Sequence, residues 1–70
     1  MILVYESDGE KVKVGDATVS YGKAATVVSW EAPMGNSKFT IPGTVYTQDE
    51  NGGEINGHFA MNLGMKWIRE

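Results

Sequence analysis

Turn-forming residues recur so closely along this sequence that they exclude a long helix. No stretch longer than about eight residues both lacks Gly and Pro and repeats its apolar residues at helical spacing. The segments between the turns are rich in Val, Ile, Thr, Tyr, Phe and Trp, which fit a pleated, half-buried strand. The turn groups are 7–9, 15–16, 22–23, 33–36, 42–43, 49–53, 56–57 and Gly64. This spacing predicts a small all-β fold.

The segments between these turns predict short, mostly antiparallel strands. The pair Asp8 and Gly9 supplies the positive φ of a tight hairpin, so the first two strands are expected to pair. The turn 49–53 is expected to join another hairpin in the same way. The predicted strands are 1–6, 10–14, 17–21, 24–31, 37–41, 43–48, 54–59 and 65–69.

The C-terminal stretch 57–70 contains a short helical pattern. Phe59, Leu63 and Trp67 stand at i, i+4 and i+8, which is the spacing of one helix face. Gly57 and Gly64 interrupt the pattern, and Gly64 inside a helix would cost about 1 kcal/mol. We therefore expect a single helical or 3₁₀ turn over 60–63, a break at Gly64 and a final strand.

Length and cysteine content limit how the fold is stabilised. Seventy residues form one domain, 1–70, and a core of this size supplies roughly 3–5 kcal/mol unless something else helps. With no cysteine there is no disulfide, no thiolate metal site and no cysteine nucleophile. The same absence fits a reducing compartment, which predicts a cytoplasmic protein. Self-association remains as a source of added stability.

The charge balance argues against a dedicated nucleic-acid binder. The net charge is −3, and the six basic residues are scattered among nine acidic ones without a basic block. Affinity for nucleic acid comes mainly from Lys and Arg that neutralise phosphates. The longest apolar run, 1–5, is too short to span a bilayer, and Glu6 follows it where a signal peptide would have a small-residue cleavage site. We expect no membrane association and no export.

Two further stretches carry a family resemblance. The sequence VKVGD at 12–16, followed by GKAATVV at 22–28, is similar to the opening of KOW-type and other SH3-like domains. The expected helical turn before a short last strand resembles the end of SH3-like barrels, and Sm-like barrels share their strongly bent sheet. This resemblance implies a strongly bent antiparallel barrel. Its KOW-type members imply a nucleic-acid-associated role, which would require Lys11, Lys13, Lys23 and Lys38 to cluster.

Residues with catalytic or metal-binding chemistry are sparse. His58 is the only histidine, and it would need a nucleophile to activate or two further ligands to share a metal. No serine stands in a Gly-x-Ser-x-Gly motif. Asp49, Glu50 and Glu54 surround a glycine pair but lack the alternation of a calcium loop, so a solvated hairpin tip is expected. We predict no catalytic residue, no metal site and no cofactor.

Strand alternation predicts which side chains face the core. The predicted inward residues are Ala25, Val27, Ser29 and Val45. The predicted outward residues are Ala24, Thr26, Val28, Trp30 and Tyr46. The first strand is apolar on both faces, so this pattern leaves surplus apolar surface that needs a cover.

Three covers are compatible with the sequence: sharp strand bends that bury both faces, a binding groove, or a second copy of the chain. The interpretation with a second copy predicts a homo-oligomer, or a protein partner, in contact with Ile2, Leu3, Val4, Tyr5, Trp30 and Tyr46. The function expected from these features is a small non-enzymatic interaction or structural module that binds protein partners or its own copies. The alternative is a nucleic-acid-associated accessory domain, and a small hydrolase or metal enzyme has less support.

Overall fold

The computed structural model describes residues 1–35 and 40–69, and this part of the chain is all-β apart from one 3₁₀ turn. The 3₁₀ turn, Ala60–Leu63, ends at Gly64, which has a left-handed conformation with a φ of 70°, and the last strand begins after it. The strands are β1 (Ile2–Tyr5), β2 (Ala17–Ser20), β3 (Lys23–Glu31), β4 (Met34–Gly35), β5 (Thr40–Ile41), β6 (Thr44–Asp49), β7 (Ile55–His58) and β8 (Met65–Ile68).

The strands form three antiparallel sheets within the described residues. The central sheet has the order β2-β3-β6-β7, and β1 pairs separately with β8. In that second pairing Leu3 stands opposite Trp67 and Tyr5 opposite Met65, so the two ends of the chain are joined. The short strands β4 and β5 pair with each other. The predicted closed barrel is not confirmed, because no closed sheet is detected among these strands.

The terminal 3₁₀ turn and the second predicted hairpin are present, whereas the first predicted hairpin is formed only in part. The turn 49–53 joins β6 to β7, as expected. The segment 10–14 is not a full strand, because it meets β1 through only one bridge, Val4 to Lys11. The backbone N–H of Val12 also donates to the carbonyl of Leu3 at 3.0 Å. Of the strand predicted over 37–41, only Thr40–Ile41 lies within the described residues.

The core lies between the β1–β8 pair and the inner face of the central sheet. Val27 and Val45 are fully buried there, and Ala25 is 1% exposed, as the alternation predicts. The buried cluster consists of Leu3, Val12, Val27, Val45, Ala60 and Met65, with Tyr5, Trp30, Leu63 and Trp67 packed against it. Leu3 of β1 and Met65 of β8 belong to this cluster, so the first and last strands complete the core.

A β-bulge in β3 corrects the predicted orientation of Trp30. The pairing with β6 shifts between Val27 and Ser29, so Val28 is an extra residue and the alternation reverses after it. Ser29 is therefore exposed, whereas Trp30 is half-buried and packs against the core. The predictions of an inward Ser29 and an outward Trp30 were both wrong for this reason.

The first strand is buried largely within one chain. Leu3 is 2% exposed and Val4 is 1% exposed, although their side chains point to opposite faces of the strand. Ile2 and Tyr5 are half-buried. A contact between copies was expected at Leu3 and Val4 because one face of β1 was expected to be exposed. Both side chains are buried, so neither offers exposed apolar surface to a second copy. Other parts of the same chain cover these two residues.

Candidate functional site

A hydrogen bond between side chains joins the two edges of the central sheet. Ser20 ends β2 and His58 ends β7, which are the outer strands of that sheet. The hydroxyl Oγ of Ser20 and Nε2 of His58 lie 2.8 Å apart. The sheet is therefore curled strongly enough to bring residues 38 positions apart into contact at its opposite edges.

Tyr21 covers this contact from an unusual backbone conformation. It has a φ of 52°, and among the described residues it is the one non-glycine residue with a positive φ. Gly22 follows with a φ of 78°, so the two residues form the tight turn between β2 and β3. The ring centroids of Tyr21 and His58 are 5.0 Å apart. A strained tyrosine at this turn costs of order 1 kcal/mol and is a feature that functional sites share.

A cavity of about 510 Å³ lies between β2 and the β7–3₁₀ segment. We call it the Tyr21 groove, and its lining residues are Val19, Tyr21, Thr44, Gly57, His58, Phe59, Asn62 and Leu63. None of these side chains is a carboxylate, lysine or arginine, and three are aromatic rings. Val19 is 62% exposed and Tyr21 is 76% exposed, so the apolar wall is open to solvent. The volume falls within the range of pockets that bind ligands.

A second apolar groove lies on the other side of the 3₁₀ turn. We call it the Trp67 groove; it has a volume of about 390 Å³ and includes Pro33, Pro42, Met61 and Trp67 among its walls. Phe59 borders both grooves. Met61 is 72% exposed, so the turn presents large apolar side chains on its solvent side.

The predicted contact residue Tyr46 lies outside both groove walls. It is half-buried and stands opposite Gly57 in the β6–β7 pairing. An added Cβ at Gly57 would lie 3.5 Å from the Tyr46 ring, so the ring covers the glycine. Tyr46 belongs to the central sheet, whereas the predicted contact strand β1 pairs with β8.

The contact between Ser20 and His58 has two chemical interpretations. A serine at hydrogen-bond distance from a histidine is the geometry of a nucleophile and its base. However, Ser20 is only 5% exposed, and within the described residues no carboxylate hydrogen-bonds to His58 to orient the ring. A buried hydroxyl also needs a partner, and His58 supplies one. The contact therefore joins the two edges of the sheet and satisfies the buried hydroxyl of Ser20.

The turn before β2 is held by a carboxylate network. The Tyr5 hydroxyl donates to Oδ2 of Asp16 at 2.7 Å, and the Lys13 backbone N–H donates to the same oxygen at 3.0 Å. The N–H of Lys13, followed by the Tyr5 hydroxyl, lowers the pKa of Asp16 below its usual value. Partial burial, followed by the bond to Asp16, raises the pKa of Tyr5 to about 12. This network fixes the loop against β1 and away from both grooves.

The acidic hairpin tip is closed by its own hydrogen bonds. Oδ1 of Asp49 accepts a bond from the N–H of Asn51 at 2.8 Å, which is a local turn contact. The side chain of Gln48 donates to the carbonyl of Gly53 at 3.2 Å. In the part of the chain that the structure describes, no three His, Asp or Glu side chains are grouped to hold a metal ion.

The basic residues lie in separate places and next to carboxylates. Lys11 and Lys13 border a polar cavity together with Asp8, Glu10 and Asp16. Lys23 borders a different cavity with Asp49 and Glu54. Lys38 lies outside the described residues. Lys23 therefore borders a different cavity from Lys11 and Lys13.

No family model, curated protein or solved structure matches this chain. Within residues 1–35 and 40–69 no helix has both the length and the apolar character needed to cross a bilayer.

The sequence identifies His58 as a candidate, but it does not reveal the hydrogen bond to Ser20 or the ring contact with Tyr21. The contact with Ser20 joins distant residues, and no local spacing signals it. The dipeptide Tyr21–Gly22 does carry a signal, because a two-residue hairpin needs positive φ at both positions. A tyrosine in the first of these positions, where Asn or Asp is preferred, marks the site.

Proposed function

We propose that the protein is a small non-enzymatic interaction module that binds a protein partner or its own copies. The observation that carries this proposal is the pair of apolar grooves that flank the 3₁₀ turn. Tyr21, Phe59 and Met61 are 76%, 51% and 72% exposed; Tyr21 borders the first groove, Met61 borders the second, and Phe59 borders both. Exposed apolar patches of this kind mark interaction sites or carry a risk of aggregation.

The composition of this surface supports a protein contact. Aromatic residues and methionine are enriched in protein interfaces, whereas lysine and glutamate are depleted. Among the described residues, the Tyr21 groove has no acidic or basic side chain in its wall, and the charged residues that border the Trp67 groove are Glu6 and Lys66. This surface takes the place of β1 as the proposed contact, because it has the exposed apolar area that β1 lacks.

A site-specific photo-crosslinker tests the proposal in the cells that produce the natural protein. Benzophenone placed at Met61 is expected to form discrete adducts, because this side chain is 72% exposed and borders the Trp67 groove. The matched control has the same group at Ala32, an exposed position that borders neither groove. Equal labelling at the two positions, or none at Met61, would show that the apolar surface is not a contact.

A further inference from the structure

The outer edge of β2 borders the Tyr21 groove. β2 is the first strand of the central sheet, so β3 pairs with one of its edges, and no strand among residues 1–35 and 40–69 pairs with the other. The bond from Ser20 to His58 shows that this free edge faces β7, and the Tyr21 groove occupies the space between them. An open strand edge is a template for another strand.

The pairing pattern identifies which residues of β2 present these groups. In an antiparallel ladder, hydrogen-bonded pairs alternate with pairs whose N–H and C=O point away from each other. The backbone N–H of Val27 donates to the carbonyl of Asp16, so Asp16 and Val27 form a hydrogen-bonded pair. The alternation then makes Ala17 with Thr26, and Val19 with Ala24, the pairs without mutual hydrogen bonds. The N–H and C=O groups of Ala17 and Val19 therefore point away from β3. Both residues are solvent-exposed.

We propose that the β2 edge and the Tyr21 groove together bind an extended peptide segment as an added antiparallel or parallel strand. This inference rests on the proposed function and names its site and its class of partner. The backbone of the peptide pairs with the N–H and C=O groups of Ala17 and Val19. One apolar side chain of the peptide enters the groove between the rings of Tyr21 and Phe59.

Charge defines the peptide further. The groove wall is uncharged, the protein has a net charge of −3, and the neighbouring cavity beyond Tyr21 holds Asp49 and Glu54 against Lys23. A peptide with basic ends therefore fits better than one with acidic ends. Because β2 has four residues, the paired segment is about 13 Å long at the usual rise of a strand.

The probe is a capped hexapeptide, acetyl-Lys-Val-Thr-Val-Thr-Lys-amide, titrated into ¹⁵N-labelled protein. The amide signals of Ala17 and Val19 are expected to shift and to exchange more slowly with solvent. A matched peptide with glutamate at both ends is expected to bind more weakly. The same peptide with its internal amides N-methylated cannot donate to the edge and should not bind.

Two variants test the backbone contact in the protein itself. Val19→Pro removes one outward N–H without touching the ladder to β3, and proline is tolerated on the open side of an edge strand. It is expected to weaken binding roughly tenfold, which corresponds to the loss of one hydrogen bond of about 1.4 kcal/mol. Val19→Thr keeps the N–H and should retain binding. Ala17→Pro provides the same test if Val19→Pro disturbs the exchange protection of the β2–β3 amides.

Several results would overturn the inference. Binding that survives N-methylation of the peptide or both proline variants would exclude strand addition. Shifts of Ala17 and Val19 that depend on protein concentration alone would show that a second copy occupies the edge, and shifts with oligouridine but not peptide would indicate nucleic acid. If no peptide binds while Met61 still forms cross-linked adducts, the inference fails and the proposed function stands. If both experiments are negative, both fail.

Discussion

The hydrogen bond between Ser20 and His58 is expected to hold the edges of the central sheet together. Its net contribution is about 1 kcal/mol, because an intramolecular hydrogen bond between neutral groups usually adds 0.5–1.5 kcal/mol. Ser20 is 5% exposed, but His58 borders the open Tyr21 groove and regains water when the serine is removed. Ser20→Ala should therefore lower the free energy of unfolding by about 1 kcal/mol, and the melting temperature by roughly 4–8 °C for a domain of this size.

A double-mutant cycle in urea isolates the pairwise contribution. Ser20→Ala, His58→Ala and the double variant are compared with the wild type, and a coupling of about 0.5–1 kcal/mol is expected between the two positions. Ser29→Ala serves as the control, since Ser29 is an exposed serine on β3 and should change stability by less than about 0.5 kcal/mol. If the two substitutions are additive within about 0.3 kcal/mol, the contact does not brace the sheet.

Three further changes test the packing and the electrostatics. The Thr47 hydroxyl is fully buried and has no hydrogen-bond partner within residues 1–35 and 40–69, so Thr47→Val should raise the free energy of unfolding by about 1 kcal/mol. A lower melting temperature for this variant would show that the hydroxyl has a partner. A Cβ at Gly43 would lie 2.6 Å from the indole of Trp67, so Gly43→Ala should destabilise by about 1–3 kcal/mol and alter tryptophan fluorescence, whereas Gly52→Ala, with no atom within 4 Å, should not. Because its pKa is lowered in the folded state, Asp16 stabilises the fold above the ordinary carboxyl pKa of about 4, and this contribution is lost as the pH falls below that value. Asp16→Asn should therefore reduce the loss of unfolding free energy at acidic pH. An unchanged dependence on acidic pH would contradict a lowered pKa for Asp16.

Much of the fold follows from local chemistry that the sequence displays. The pair Asp8 and Gly9 and the turn 49–53 place the hairpins, because positive φ and side-chain turn bonds are local requirements. The break at Gly64 likewise limits the 3₁₀ turn to four residues. These features depend on a few neighbouring residues. The turn 49–53 and the 3₁₀ turn are present where the sequence predicts them, whereas the segment after Gly9 meets β1 through a single bridge.

The orientation of side chains after Val28 depends on a feature with no local signal. The bulge inserts one residue into β3, and the sequence around it contains no glycine or proline to mark it. One extra residue reverses the inward and outward positions, so Trp30 joins the core. The burial of both Leu3 and Val4 also depends on tertiary packing around β1, which periodicity cannot reveal.

The candidate site was only partly predictable for the same reason. His58 is visible as the single histidine, and Tyr21 is visible as an atypical residue before Gly22. Their proximity to Ser20 results from the curl of a four-stranded sheet, which is a property of the whole fold. The sequence indicates that some apolar surface is exposed, but it does not show where this surface lies. The most apolar strand, β1, is largely buried, and the exposed apolar side chains lie elsewhere, for example at Tyr21 and Met61.

The methyl groups of the methionines test most directly whether the surface around the 3₁₀ turn is a contact. Met61 is 72% exposed on this surface, Met34 is 67% exposed on β4, and Met65 is fully buried. Protein with ¹³C-labelled methionine methyl groups is compared in buffer and in a concentrated extract of the cells that produce it. We expect the Met61 signal to shift or broaden selectively while the Met34 and Met65 signals keep their positions. A Met61 signal that stays as sharp and unshifted as that of Met34 would contradict the proposed interaction surface.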